Sequence, residues 1–212
     1  MSAKTGLTGR SGLPFHDSMT CLSGKAPLAR RAFLAAGVCG VGGLLVPSVA
    51  QATLFRGLSL AELVRASELI LLATPLDASS HWEVLGGRQR IVTDTRVRVE
   101  DVVAKNAPAD GELLVRTLGG TVGERAALVY GEAALFLNQT SMLFMLRDAG
   151  VLRVTGMAQG HYPLFADANR ALRLMQSPHA PDLVGEAEPA MHLLPGQELS
   201  RARVLVQTAL GQ

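Results

Sequence analysis

The stretch RQRIVTDTRVRVEDVV, residues 88–103, carries the strongest secondary-structure signal in this chain of 212 residues. Apolar and β-branched side chains alternate along it with charged ones. One face carries Ile91, Thr93, Thr95, Val97 and Val99, and the other carries Arg90, Asp94, Arg96, Arg98 and Glu100. This period of two predicts a long β-strand with one buried and one solvated face. Strands of this length usually coil, as they do where a small sheet closes on itself.

Turn signals on both sides of this strand predict further strands. Gly86-Gly87 separates it from the short run 82–85, and because both glycines can take positive φ the pair predicts a hairpin. Shorter strands are expected at 112–118, 133–137, 142–147, 152–155, 161–166 and 171–175. Turns separate most of these runs and no long helix lies between them, so an antiparallel all-β arrangement is favoured over βαβ units.

Helix signals occur only near the two ends of this β-rich region. Ser59 and Glu62 have the spacing of a capping box, which predicts a short helix over 60–67. The apolar run 69–73 that follows is ended by Pro75 and predicts a short strand buried on both faces. Prolines in 177–197 indicate an irregular surface loop. Apolar residues then recur at a spacing of three and four and predict a C-terminal helix. These residues are Leu199, Ala202, Val206 and Ala209.

The predicted fold class is therefore mainly β, as a small antiparallel β-barrel or sandwich with a short N-terminal helix and a C-terminal helix. An OB-like barrel is one form of it, and the choice between closed barrel and sandwich stays open. With 48% hydrophobic and 18% charged residues, the chain has the composition of a globular protein. The predicted divisions are a signal peptide over 1–52, a β-barrel domain over 53–176, a proline-rich loop over 177–197 and the helix over 198–212.

The charge distribution separates the first 52 residues from the rest. They hold five basic side chains and one acidic one, whereas the remainder holds 15 basic and 17 acidic. The net charge of +2 therefore comes from the leader and does not indicate nucleic-acid binding. A basic stretch, fifteen mostly small or apolar residues over 32–46 and a small-residue site ending at Ala52 predict a signal peptide that is cleaved after Ala52.

The leader is similar to twin-arginine export signals. The residues that carry the resemblance are Arg30, Arg31, Phe33 and Leu34. The resemblance implies a chain that folds before export, with the twin-arginine machinery as its partner and the periplasm or the exterior as its location. Cleavage after Ala52 would remove Cys21 and Cys39, so the mature chain would have no thiol nucleophile, no disulfide and no cysteine ligand for a metal. No membrane span is expected in the mature chain.

Several ordered motifs resemble a family of exported bacterial proteins without an established activity. They are Thr93-Asp94 leading into Val97-x-Val99-Glu100-x-Val102, Gly119-Gly120-x-Val122-Gly123, Leu143-Phe144-x-Leu146 and Gly156-Met157-Ala158-Gln159-Gly160. The similarity covers most of residues 58–175 and implies a small β-barrel, with an OB-like form as one possibility. One departure is Asn138-Gln139-Thr140-Ser141, where similar chains tend to have a Gly-Glu-type turn.

Five polar residues are the candidate binding residues. His81 and Glu83 share one face of a predicted strand, and His161 could complete a site with them if its strand lay adjacent. Gln159, His161 and Tyr162 follow flexible glycines at a predicted loop. No H-E-x-x-H pattern, G-x-S-x-G elbow or P-loop occurs, so we predict no catalytic residue, no metal and no cofactor. The chain lacks a row of exposed aromatics, so no nucleic-acid partner is expected.

These features predict an exported, non-catalytic β-domain that binds or scaffolds an unidentified protein or small molecule. The alternative is a cofactor- or metal-binding enzyme exported in the folded state, whose polar groups converge only in three dimensions.

Overall fold

The fold of this chain is seen in a computed structural model that describes residues 55–105, 111–185 and 187–211. The predicted leader, with Arg30, Arg31 and the predicted cleavage site after Ala52, lies outside the described residues. The strands are β1 (Phe55–Arg56), β2 (Leu69–Leu85), β3 (Arg88–Ala104), β4 (Glu112–Leu118), β5 (Gly120–Val122), β6 (Arg125–Ala127), β7 (Ser141–Asp148), β8 (Val151–Val154), β9 (His161–Ala166), β10 (Leu172–Leu174) and β11 (Leu183–Val184). The helices are α1 (Leu60–Ala66), α2 (Ala190–Leu193) and α3 (Leu199–Leu210), and a 3₁₀ helix spans Met157–Gly160.

The alternating run forms the centre of the fold, as predicted. β3 pairs antiparallel with β2 along the length of both strands, and Leu85 lies opposite Arg88 across the two-residue turn. Gly86 and Gly87 take φ values of 58° and 75°, which is why the tight turn needs glycine here. Val97 is fully buried while Arg98 is exposed, so the prediction of the strand faces is confirmed.

The expected end of the first buried strand at Pro75 is wrong. β2 begins at Leu69 but continues through Pro75 to Leu85. The register between β2 and β3 shifts between Pro75 and Asp77. A bulge at this point accommodates a residue that has no backbone N–H to give to the ladder, so the strand continues past the proline.

Five of the strands close into a barrel-like ring. β7, β2, β3, β4 and β8 pair in that order, and β8 pairs back onto β7. If these five strands are numbered in chain order, as β2, β3, β4, β7 and β8, their order around the ring is 1-2-3-5-4. The third and fifth of them, β4 and β8, pair in parallel. The sheet is therefore mixed, which corrects the expected purely antiparallel arrangement. β9 and β10 extend the sheet outside the ring from β7.

Two clusters of apolar side chains form the core, one on each face of the sheet. The cluster inside the ring includes Leu71, Val97, Val115, Leu143 and Met145. The cluster between the sheet and the helices includes Leu63, Ile70, Phe144, Leu174 and Val206. The capping box at Ser59 and Glu62 is present, and Ala202 and Val206 of α3 are fully buried, so both helix predictions are confirmed.

The region 133–137 is not a strand, contrary to expectation. The carboxylate of Glu132 accepts the backbone N–H groups of Leu118 (3.1 Å) and Ala133 (3.0 Å), and Asn138 donates its N–H to the Pro75 carbonyl (2.8 Å). These contacts take the place of a strand ladder. The proline-rich region 177–197 is mostly irregular but also contains α2 and the short β11, which pairs with β1. No helix in the described residues has the length and apolar character needed to cross a membrane.

Candidate functional site

The structure places the five candidate binding residues in two separate regions. His161 lies opposite Leu143 of β7, which in turn lies opposite Leu71 of β2. His81 is ten residues further along β2, or about 33 Å at the usual strand rise. Glu83 lies beyond His81 in the same strand. His161 therefore does not complete a site with His81 and Glu83.

His81 and Glu83 belong to a charged cluster on the outer face of β2, β3 and β4, together with Asp94 and Arg116. Arg116 donates Nε to Asp94 Oδ1 (2.6 Å) and Nη2 to Asp94 Oδ2 (2.8 Å), and it also donates to Glu83. His81 Nε2 lies 3.5 Å from Glu83, and its Nδ1 lies 3.9 Å from Asp94.

The electrostatics of this cluster are those of a mutually satisfied surface network. The hydrogen bond from Arg116 is the largest of the causes that lower the pKa of Asp94, and the charge of Arg116 adds to it. The pair between Arg116 and Asp94 is bidentate, which is the geometry that makes such pairs specific, and Glu83 accepts one further bond from the same guanidinium. In the described ranges, no three or more His, Cys, Asp or Glu side chains are grouped so as to hold a metal.

Gln159 is a buried residue whose side chain links two distant parts of the chain. Its Oε1 accepts the backbone N–H of Leu58 (2.8 Å), and its Nε2 donates to the carbonyl of Arg56 (3.1 Å). Each end of the amide is thus matched to a backbone group of the segment that precedes α1. The side chain fixes the entry to that helix, and it is only 4% exposed.

His161 is buried between two serine hydroxyls. Its Nδ1 lies 3.0 Å from Ser177 Oγ, and its Nε2 lies 3.1 Å from Ser141 Oγ. Burial lowers the pKa of the imidazole to about 3. The ring is therefore neutral at ordinary pH, with one ring nitrogen donating and the other accepting. It ties the 177–185 region to β7.

Tyr162 lies in the core on the helix side of the sheet. Its ring packs edge-to-face against Phe144, with centroids 5.9 Å apart at 73°. The side chain is fully buried, and its hydroxyl has no hydrogen-bond partner in the part of the chain that the structure describes. Burial raises the pKa of the phenol. Tyr162 and His161 are thus buried interior residues.

A groove that the sequence did not indicate lies beside the helix-side cluster, and we call it the outer groove. It has a volume of about 760 Å³. Its floor is formed by the outer face of β2 and β3, and its walls by the 138–140 turn and by β9 and β10. Its lining residues are Leu72, Thr74, Arg98, Glu100, Asn138, Gln139, Thr140, Leu164, Phe165, Ala166 and Leu172.

Hydrogen bonds between side chains organise the polar side of the outer groove. Thr74 and Thr140 share a hydroxyl hydrogen bond of 2.8 Å, and Arg98 donates Nε (3.1 Å) and Nη2 (2.8 Å) to Glu100. A hydrogen bond from Thr74 lowers the pKa of Glu100 most, and one from Arg98 adds to this effect. Asn138 takes a left-handed φ of 62°, which asparagine tolerates better than most residues. In the described residues, no protein group hydrogen-bonds the Asn138 side-chain amide.

The apolar side of the groove is formed by β9 and β10. Leu164 is buried in the helix-side cluster, whereas Phe165 and Leu172 remain 38% and 44% exposed. A concave surface of this size that combines an apolar wall with a few fixed polar groups is the usual form of a small-molecule site. Comparison with protein-family models, with curated proteins and with solved structures gives no match for this chain.

Proposed function

We propose that this protein is an exported, non-catalytic β-domain that binds a small molecule in the outer groove. The observation that supports it is the groove itself, since its volume of about 760 Å³ falls within the range of small-molecule sites. The domain would be OB-like, as its resemblance to exported bacterial proteins implies. The ring of β2, β3, β4, β7 and β8 supports this proposal with its 1-2-3-5-4 strand order.

The ligand class follows from the charges and the exposed groups of the groove. Arg98 and Glu100 are the only charged side chains among its lining residues, and they pair with each other, so the lining has no net charge. The Asn138 amide offers hydrogen bonds at one side, while Phe165 and Leu172 offer apolar surface at the other. The ligand we propose is a neutral molecule with an apolar body and a hydrogen-bonding end.

A neutral fluorescent probe tests this proposal. N-Phenyl-1-naphthylamine has a phenyl group and a naphthyl group joined by a single N–H, and its emission rises when it leaves water. We expect saturable binding to the wild-type chain. Ala166 is exposed and lines the groove, so Ala166→Trp would fill part of the space and weaken binding at least tenfold. Ala168 is exposed in the neighbouring turn, outside the groove, and Ala168→Trp is the matched control.

The two tryptophan variants separate the groove from other apolar surfaces. Leu128 and Tyr130 are also exposed, and a dye could bind there. Equal dye affinity in the wild type and both variants would place the dye elsewhere and contradict the proposed groove site. Weak binding by Ala166→Trp alone would support it.

We propose that the chain reaches the periplasm or the exterior through the twin-arginine machinery. Arg30, Arg31, Phe33 and Leu34 and the small residues before Ala52 support this proposal. Replacing both arginines by lysine should retain the protein in the cytoplasm with its leader attached. Export that is unaffected by this change, or a mature mass that does not begin at Thr53, would contradict the assignment.

A further inference from the structure

A second, smaller cavity lies at the end of the ring, and we call it the Glu132 cavity. It has a volume of about 180 Å³ and shares no lining residue with the outer groove. Its polar lining includes three threonines, one carboxylate and one imidazole, from Thr93, Thr95, Thr117, Glu132 and His179.

Glu132 is a buried acid at this cavity. The residue is 6% exposed, and each carboxylate oxygen accepts one backbone N–H, from Leu118 and from Ala133. A carboxylate has about four acceptor positions, so two bonds leave capacity for further donors. Burial is the largest influence on this group and raises its pKa, while the two backbone hydrogen bonds oppose the shift.

Glu132 has no ion-pair partner in the described ranges of the chain. Among the described residues, the cation whose charge lowers the pKa of Glu132 is Arg153, and its Nη1 donates to Asp148 Oδ2 at 3.1 Å. A buried carboxylate without a cation is costly because burial removes the water that solvates its charge. Proteins normally pair or neutralise such groups for this reason. A cation brought into the cavity would offset that cost.

The hydroxyl groups around the cavity set the chemistry of the cation. Thr95 is 1% exposed and Thr117 is 7% exposed, so both are held in place by packing. Thr93 Oγ1 already donates to the carbonyl of Gly119 (2.7 Å) and lies 2.8 Å from Ser80 Oγ, which therefore donates to it, so one lone pair of Thr93 Oγ1 is left as an acceptor. A primary ammonium carries three N–H donors and matches a carboxylate flanked by such acceptors.

Gly120 holds this cavity open on the side of β5. It has a φ of 122°, and a Cβ at this position would lie 2.2 Å from Thr93 Oγ1 and 2.4 Å from Ser80 Oγ. A larger residue would therefore push directly into the hydroxyl of Thr93, which lines the cavity, and into that of Ser80 behind it. This close approach keeps the threonine side of the cavity free.

We propose that the Glu132 cavity binds the ammonium group of a small primary amine, with the Glu132 carboxylate and the threonine hydroxyls as its acceptors. This site is independent of the outer groove. The volume limits the ligand to a short alkylamine or to the amine end of a larger molecule.

Propylammonium and 1-propanol form a matched pair of probes for this site, because they have the same number of heavy atoms and differ in charge. Calorimetric titration of the full mature chain should show saturable binding of propylammonium. Ligands of four heavy atoms bind at best weakly, so a dissociation constant in the millimolar range is expected. We expect 1-propanol and tetramethylammonium, which lacks N–H donors, to bind at least tenfold more weakly.

Two variants assign the binding to this cavity. Thr95→Val keeps the shape of the side chain and removes one acceptor, and it should weaken propylammonium about tenfold. Glu132→Gln should abolish binding, and Glu124→Gln, at an exposed position in the β5–β6 turn, should leave it unchanged.

The comparison of ligands keeps the proposal testable if Glu132→Gln does not fold, since it uses the wild-type chain alone. Equal affinity for propylammonium and 1-propanol would overturn the proposal. So would propylammonium binding that is unchanged in Thr95→Val, or the absence of saturable binding to the wild type.

Discussion

The buried imidazole of His161 makes the stability of the fold sensitive to mild acid. Burial holds its pKa at about 3 in the folded chain, compared with 6.5 for an exposed histidine. Below pH 6.5 the unfolded chain therefore binds a proton that the folded chain does not. Stability is lost as the pH falls from 6.5 towards 3, and it is fully present above that range.

The size of this effect follows from the gap between the two pKa values. One pKa unit corresponds to about 1.4 kcal/mol, and pH 5 lies 1.5 units below the unfolded value, so His161 costs about 2 kcal/mol between pH 7 and pH 5. For a domain of this size, that corresponds to a fall in Tm of about 4–8 °C.

Urea unfolding at pH 7 and at pH 5 measures the loss of stability that His161 causes. We expect His161→Gln to lose about 2 kcal/mol less stability over this interval than the wild type, whatever its stability at pH 7. Other titrating groups are common to both proteins and cancel in the comparison. His192→Gln, at an exposed position, should keep the wild-type dependence. An identical loss in wild type and His161→Gln would show that His161 is not buried and neutral, and would refute the reasoning.

Two further predictions concern the core. Val97→Asp should unfold the domain, because it places a charge inside the ring at a fully buried position. Val84→Asp, at a 63% exposed position, should change stability by no more than about 0.5 kcal/mol. An unchanged thermal midpoint for Val97→Asp would mean that the strand faces are reversed. Tyr162→Phe should stabilise the fold by about 1 kcal/mol in urea unfolding, because it removes a buried hydroxyl that has no hydrogen-bond partner in the described residues. Tyr130→Phe, at an exposed position, should leave the stability unchanged. Destabilisation by Tyr162→Phe would show that the hydroxyl is hydrogen-bonded.

Local features of the sequence predicted local structure well. The alternation over 88–103, the capping box at Ser59 and the glycine pair at 86–87 each depend on neighbours within a few residues. The closure of the ring depends instead on the parallel pairing of Val115 with Leu152, which are far apart in the chain. The spacing of apolar residues along the sequence does not indicate such a long-range pairing, so the sequence could not decide between a barrel and a sandwich. Pro75 was misleading because a bulge absorbs it.

The polar residues show the same limit. His161 and Gln159 were candidates for binding because they lie beside glycines at a predicted loop. Their partners, such as Ser177 and Leu58, are distant in sequence, and only the fold shows that the polar atoms are already matched.

The outer groove combines Thr74, Arg98, Asn138 and Phe165 from four parts of the chain, and no spacing links them. Reasoning from the sequence therefore could not find this groove.

Native and denaturing mass spectrometry of the protein purified from its exported fraction tests the central proposal most directly. We predict a native mass above that of the chain beginning at Thr53, an excess that is lost on denaturation. The excess should be absent from Ala166→Trp and retained by Ala168→Trp. A wild-type chain that carries no added mass, or an added mass that Ala166→Trp retains in full, would contradict a ligand held in the outer groove.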